Sequence, residues 1–212
     1  MKTENLIKVL AADEVAPRWP LARAFAVAVA CGVAIAATGF FMKIGFRPDI
    51  ADALGTIRFV FKFVITLSLA VVAMGVVLRL ARPGAELGAW RWALMAVPLL
   101  LVGAVVIELA LVPSSLWKTR LIGRHSEICL TVIPLLSIGP LACLLLALRH
   151  AAPTRPGLAG AVAGLVASGI AATLYASNCT DDSPLFVAAW YPLATAIVVL
   201  AGHALGRRLI RW

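Results

Sequence analysis

Six stretches of this chain are long and apolar enough to cross a lipid bilayer, and together they use up nearly all of it. They run Ala24–Met42, Phe59–Leu80, Trp90–Val112, Ile128–Leu148, Gly157–Ala176 and Leu185–Leu205. A spanning helix needs about 20 apolar residues, because each adds about 1.5 Å across a hydrocarbon core of about 30 Å. Lipid offers the backbone no hydrogen bonds, so each stretch must satisfy its own peptide groups as a helix. The helix breakers fall between them, at Arg47-Pro48-Asp49, Arg82-Pro83-Gly84, Pro113-Ser114-Ser115, Ala152 to Gly157 and Asn178 to Pro184. No stretch remains for a separate folded domain. The expected fold is an all-α integral membrane protein, six transmembrane helices in one bundle. Residues 1–23 form an N-terminal segment, 24–205 the bundle and 206–212 a basic tail.

Composition excludes the soluble alternatives. Apolar residues make up 62% of the 212 and charged residues 14%, against about half and a quarter in soluble domains. A soluble enzyme, a secreted disulfide scaffold and a disordered tail are all ruled out. A cleaved signal peptide also fits poorly. The first apolar run follows 23 residues that include Asp13, Glu14, Pro17 and Pro20, far more than a basic n-region needs.

The net charge of +9 comes from nineteen Lys and Arg against ten Asp and Glu. The bases lie mainly between apolar runs, so the excess reads as membrane topology rather than nucleic-acid binding. With both termini cytoplasmic, the inner side carries twelve bases: Lys2, Lys8, Arg18, Arg23, Arg79, Arg82, Arg91, Arg149, Arg155, Arg207, Arg208 and Arg211. The outer side carries seven: Lys43, Arg47, Arg58, Lys62, Lys118, Arg120 and Arg124. The last outer loop has Asp181 and Asp182 and no base at all.

Two small-residue rows are expected to let helices approach closely: Gly160, Gly164, Ser168, Ala172 and Ala176 in the fifth span, and Ala24, Ala28, Gly32 and Ala36 in the first. Charges within the spans are few. Glu108 sits about one turn from the outer end of the third, to be satisfied by snorkelling or by a basic partner. Lys62 and Arg79 lie near helix ends and are expected to snorkel. No ionisable residue stands mid-span, which disfavours the alternative of a small transporter of metal or another small molecule. No catalytic constellation is present, and the reactive, closely spaced cysteine pair of a membrane thiol oxidoreductase is missing.

Four cysteines are spread along the chain. Cys31 and Cys143 fall within spans and read as small hydrophobes. Cys129 and Cys179 fall fifty residues apart yet at one membrane surface. Two thiols there suit either a disulfide or a soft metal ion. His125, one turn before Cys129, could add to a metal set, as could Glu108, Asp181 or Asp182. Asp182-Ser183-Pro184 also reads as a helix start, with Asp or Ser capping and Pro at the first helical position. No obligatory cofactor is expected. At the other end, residues 3–16 can form a short amphipathic helix with Leu6, Ile7, Val9 and Leu10 on one side. Such a helix needs a cover, either the lipid surface or a protein partner bound helix-in-groove.

Several blocks carry a resemblance over essentially the whole length. They are Leu6-Ile7 with Leu10-Ala11-Ala12-Asp13, then Gly45-Phe46-Arg47-Pro48-Asp49-Ile50, Cys129 opening the fourth span, Asn178-Cys179-Thr180-Asp181-Asp182-Ser183-Pro184-Leu185-Phe186 with Trp190, and the closing Gly206-Arg207-Arg208-Leu209-Ile210-Arg211-Trp212. In order and spacing these resemble the NrsF family, membrane-embedded anti-sigma factors named for negative regulation of sigma F. The chain departs from it at Asp181, where members often carry His. The resemblance implies binding of an extracytoplasmic-function sigma factor at the bacterial inner membrane, away from RNA polymerase. It also implies two periplasmic cysteines that answer heavy-metal or redox stress. The expected partners are that sigma factor and membrane lipid, with no direct nucleic-acid contact and a homodimer left open.

Overall fold

The computed structural model describes residues 20–210. Among these, six helices are long and apolar enough to cross a membrane. In chain order the helices are α1 (Leu21–Lys43), the short α2 (Ile50–Leu54), α3 (Ile57–Leu80), α4 (Trp90–Leu111), the short α5 (Trp117–Ile122), α6 (Ser126–Arg149), α7 (Pro156–Ala176) and α8 (Pro184–Leu209). The six long helices match the six apolar stretches within a few residues. The largest differences are at α8, which runs on to Leu209, and at α1, which begins at Leu21. Gly206 to Leu209 are therefore the last turn of a helix and not a tail. Gly206 packs on α7, where a Cβ would stand 2.6 Å from the Pro156 carbonyl oxygen, and that contact keeps the turn docked. The candidate partner-binding residues Leu6, Ile7, Val9 and Leu10 lie outside the described residues.

α7 is the central helix, packed on α8, α3, α6 and more lightly α1. About two-thirds of its apolar window is buried within the bundle, against 11% for α4 at the periphery. The reason is the expected row of small residues. Gly160, Gly164, Ser168, Ala172 and Ala176 are all buried. A Cβ on Gly164 would lie 2.8 Å from the Val198 carbonyl oxygen of α8, and one on Gly169 would lie 2.8 Å from the Ala70 nitrogen of α3. Gly160 of α7 and Gly202 of α8 face each other backbone to backbone. α1 uses its own row against α6: Ala28, Gly32 and Ala36 are buried, and a Cβ on Gly32 would stand 2.7 Å from the Cα of Pro140. Ala24 is only partly buried.

Two buried clusters fill the bundle, one toward each end. The cluster toward the chain termini joins Phe25, Val77, Leu144, Leu148, Val166 and Ile210. The other joins Phe40, Cys129, Ile133, Tyr175, Cys179, Phe186 and Tyr191. Near the termini, α4 is pinned to α3 by the Trp90 indole lying over Gly75.

The tight α7–α8 contact makes a direct prediction. Gly164→Leu should destabilise the bundle by at least the ~1–3 kcal/mol of ordinary overpacking, read as a lower unfolding midpoint when SDS is titrated into mild detergent. Gly103→Ala on α4, where a Cβ meets nothing within 4 Å, should be neutral or stabilising by up to about 1 kcal/mol.

Candidate functional site

The far end of the bundle is closed by the α7–α8 loop, whose chain folds inward instead of out into solvent. Cys179 is buried in it, and Cys129 is fully buried in the first turn of α6. Both belong to one cluster with Tyr175, Phe186 and Tyr191, and their sulfurs are unbridged. The two cysteines thus stand at the same end of the bundle, inside the core and not on a surface. Tyr191 carries a buried hydroxyl with no hydrogen-bond partner among the described residues.

What holds the loop down is charge. Lys62 has no exposed side-chain surface, and its ammonium stands 2.6 Å from Asp182 Oδ1 while donating to the Cys179 carbonyl at 2.8 Å. The expectation that Lys62 snorkels outward is thus corrected. It sits about one and a half turns inside α3, where the half-buried Asp182 carboxylate and the buried Cys179 carbonyl are within direct reach. Arg47 completes the clamp. It donates to Asp49 through Nε at 2.7 Å and Nη2 at 2.6 Å, and to Asp182 Oδ2 through Nη1 at 3.0 Å. Its backbone N–H donates to the Ser177 carbonyl, and Asn178 donates to the Gly45 carbonyl at 3.0 Å. Both cations lie over the Phe59 ring, Arg47 at 5.6 Å and Lys62 at 5.4 Å from its centroid. Hydrogen bonding to Asp49 and then to Asp182 raises the Arg47 pKa, and the same guanidinium holds the Asp49 carboxyl below its usual range.

The remaining acids cap helices from a distance. Asp181 Oδ2 accepts from the backbone N–H groups of Arg124 and His125, each at 3.0 Å, and lies 3.1 Å from His125 Nδ1. It therefore serves the start of α6. Gly123, at φ +63°, makes the turn that lets α5 pass into this cap. Glu108 is buried and does not snorkel. Its Oε1 accepts from Arg120 at 2.7 Å, with Arg58 at 3.8 Å. Its Oε2 accepts from the Ser183 hydroxyl at 2.7 Å and the Leu185 N–H at 3.0 Å. The expected helix start at Pro184 is present, but neither Asp182 nor Ser183 caps it. Lys62 and Arg47 draw Asp182 away, and Glu108 of α4 takes over the capping.

The candidate metal set Cys129, Cys179, His125, Glu108, Asp181 and Asp182 does not gather. Among the described residues, no three His, Cys, Asp or Glu side chains group as they would around an ion. Glu108 and Asp182 are engaged by cations and by a helix start, and His125 is turned onto Asp181. What the fold brings together is a thiol pair with two tyrosines beneath a clamped loop.

A family model described as negative regulator of sigma F matches residues 10–212. The chain belongs to the NrsF family. The "Probable anti-sigma-F factor NrsF" of Azospira oryzae is 34% identical, and the "Anti-sigma-F factor NrsF" of Caulobacter vibrioides is 35% identical. Each alignment covers 100% of both chains. No solved structure matches. NrsF is a family of regulators and not of enzymes, in keeping with a chain that shows no catalytic constellation in its sequence.

Within this NrsF chain, Lys62, Arg47, Tyr175 and Tyr191 were invisible as site residues in the sequence. One signal for Lys62 was available: a lysine more than a turn inside an apolar helix, in a chain whose loop between the last two long helices holds two acids and no base. Burial, partly opposed by the Lys62 charge, pushes the Cys179 thiol up, so it is protonated at neutral pH and a weak nucleophile. Iodoacetamide labelling of native Cys179 should therefore be slower at pH 7–8 than that of a free thiol, and should rise only above the free-thiol pKa of about 8.5. Unfolding should erase the difference. Lys62→Met strands much of the Asp182 charge and should cost stability at the lower edge of about 3–5 kcal/mol. The double variant Lys62→Met with Asp182→Leu should recover a large part of it, both read by denaturant midpoint in detergent.

Proposed function

We propose that this chain holds an extracytoplasmic-function sigma factor at the cytoplasmic face of the bacterial inner membrane, and releases it when Cys129 and Cys179 react at the periplasmic face. The observation that carries the sensing half is the burial of both thiols in one cluster under a loop whose Cys179 carbonyl is held by Lys62. A change at either sulfur strains that loop and, through Lys62, α3. The anti-sigma half rests on the family and on two relatives named as anti-sigma-F factors.

Charge supports the orientation. Of the seven bases at the cysteine end, Arg47, Arg58, Lys62 and Arg120 pair with acids. The orientation itself rests on the count of Lys and Arg, twelve at the termini end against seven at the cysteine end, the excess expected of a cytoplasmic face. Two chemistries suit the thiols. A soft ion such as Cd(II) or Zn(II) would take them as thiolates and, lacking a ready third ligand, pull the loop to find one. An oxidant would join them as a disulfide. Either must favour the released state over the bound one by about 5.5 kcal/mol to move occupancy from 1:99 to 99:1. The candidate sigma-binding surface is the apolar row Leu6, Ile7, Val9 and Leu10 in the N-terminal segment.

A sigma-dependent reporter tests both halves. Cys129→Ser and Cys179→Ser should each abolish induction by Cd(II) and by a thiol oxidant while leaving the uninduced repression intact; unchanged induction removes the sensing role. Deleting residues 1–20 should derepress the reporter with the bundle still inserted, and the sigma factor should no longer co-purify. Retained co-purification overturns the N-terminal role.

A further inference from the structure

α4 leaves one face uncovered at the cysteine end. Between α3 and α4 lies a cavity of about 780 Å³, open to the side that would face lipid. It follows a single face of α4 from Ala96 through Gly103 and Ala104 to Leu111, hollowed by the small side chains at its middle. The fifteen steps from Ala96 to Leu111, at about 1.5 Å each, give a length near 22 Å. That exceeds the ~15 Å acyl depth of one leaflet, half of a ~30 Å core. On the α3 side the wall is Phe61, and at the end stands Arg58.

Arg58 is what distinguishes the groove from bare apolar surface. Its side chain is about half exposed, and its one ion pair among the described residues is to Glu108 at 3.8 Å, beyond hydrogen-bonding distance. Glu108 itself is already satisfied by Arg120, Ser183 and Leu185. The guanidinium thus keeps a planar array of N–H donors without a close anion at the end of an acyl-length trough. A second copy of α4 laid in the groove would bring a second Arg58 to the same level, and a Glu108 already taken up by its own Arg120, Ser183 and Leu185.

We propose that the α3–α4 groove is a binding site for one anionic phospholipid of the leaflet at the cysteine end, its phosphate on Arg58 and an acyl chain along Ala96, Gly103 and Ala104. The lipid bridges α3, which carries Lys62, to α4, which carries Glu108. It thereby supports both contacts that fix the α7–α8 loop.

The test is native mass spectrometry of the full chain released from detergent containing phosphatidylglycerol or phosphatidylcholine. The wild type should retain one phosphatidylglycerol per chain, with phosphatidylcholine held at least about fivefold more weakly, the factor expected of one Arg at an anionic surface. Arg58→Gln should bring the two lipids level. Gly103→Leu, which fills open space and leaves the fold intact, should reduce retention of both. Phosphatidylglycerol should also raise the melting temperature of the wild type and not that of either variant. Equal retention by wild type and Arg58→Gln overturns the headgroup assignment. Equal retention by Gly103→Leu, or a two-chain mass in place of the lipid adduct, overturns the groove.

Discussion

A lysine ammonium with no exposed surface, inside a helix of a membrane bundle, is tenable only if something carries the opposite charge to it. Here the α7–α8 loop must bend inward so that Asp182 and the Cys179 carbonyl reach Lys62. Once the loop is bent, Cys179 lands in the core beside Cys129 and the tyrosines. Arg47 then shares Asp182 and ties the α1–α2 connection to the same point. One desolvated cation thus dictates where two loops lie, and hence where both thiols lie. The cost of burying it is offset by the Asp182 carboxylate, the Cys179 carbonyl and the Phe59 ring, and removing the carboxylate leaves charge stranded in a low-dielectric setting.

The same economy appears in how helices begin at this end. α6 and α8 start without a cap from their own sequence. Asp181 supplies one from the α7–α8 loop and Glu108 the other from α4. Each carboxylate also binds a side chain, His125 for the first and Arg120 for the second. A cap donated by another element makes the start of one helix depend on the position of the next, so α4, α6 and α8 are coupled at their ends as well as through the packing of α6 and α4 on α8.

The six spans, their order and the two small-residue rows could be read in the sequence, because length, apolar runs and four-residue spacing are local properties. That Cys129 and Cys179 fall at the same end of the bundle could be read as well, from the two long helical stretches between them, but their burial in one cluster could not. The fate of the acids could not be read. Asp182 in an Asp-Ser-Pro run looks like a helix cap, and only the three-dimensional position of Lys62, 120 residues away in sequence, turns it into a counter-ion. Lys62 misled for the same reason. A lysine near a helix end usually reaches outward, and whether it does depends on an acid that no local pattern reveals. The comparison with relatives settles the family but carries no coordinates, so these placements come from the fold alone.

The backbone seam between α7 and α8 has a mechanical corollary. Side chains can absorb a displacement by changing rotamer, but Gly160, Gly164 and Gly202 have none to change. Helices that touch through bare peptide groups behave as a stiff, two-rail lever with little slip between the rails. The rails are joined by the clamped loop at one end and by the Gly206–Pro156 contact at the other. The seam leaves side chains little part in absorbing a shift of one of these helices against the other.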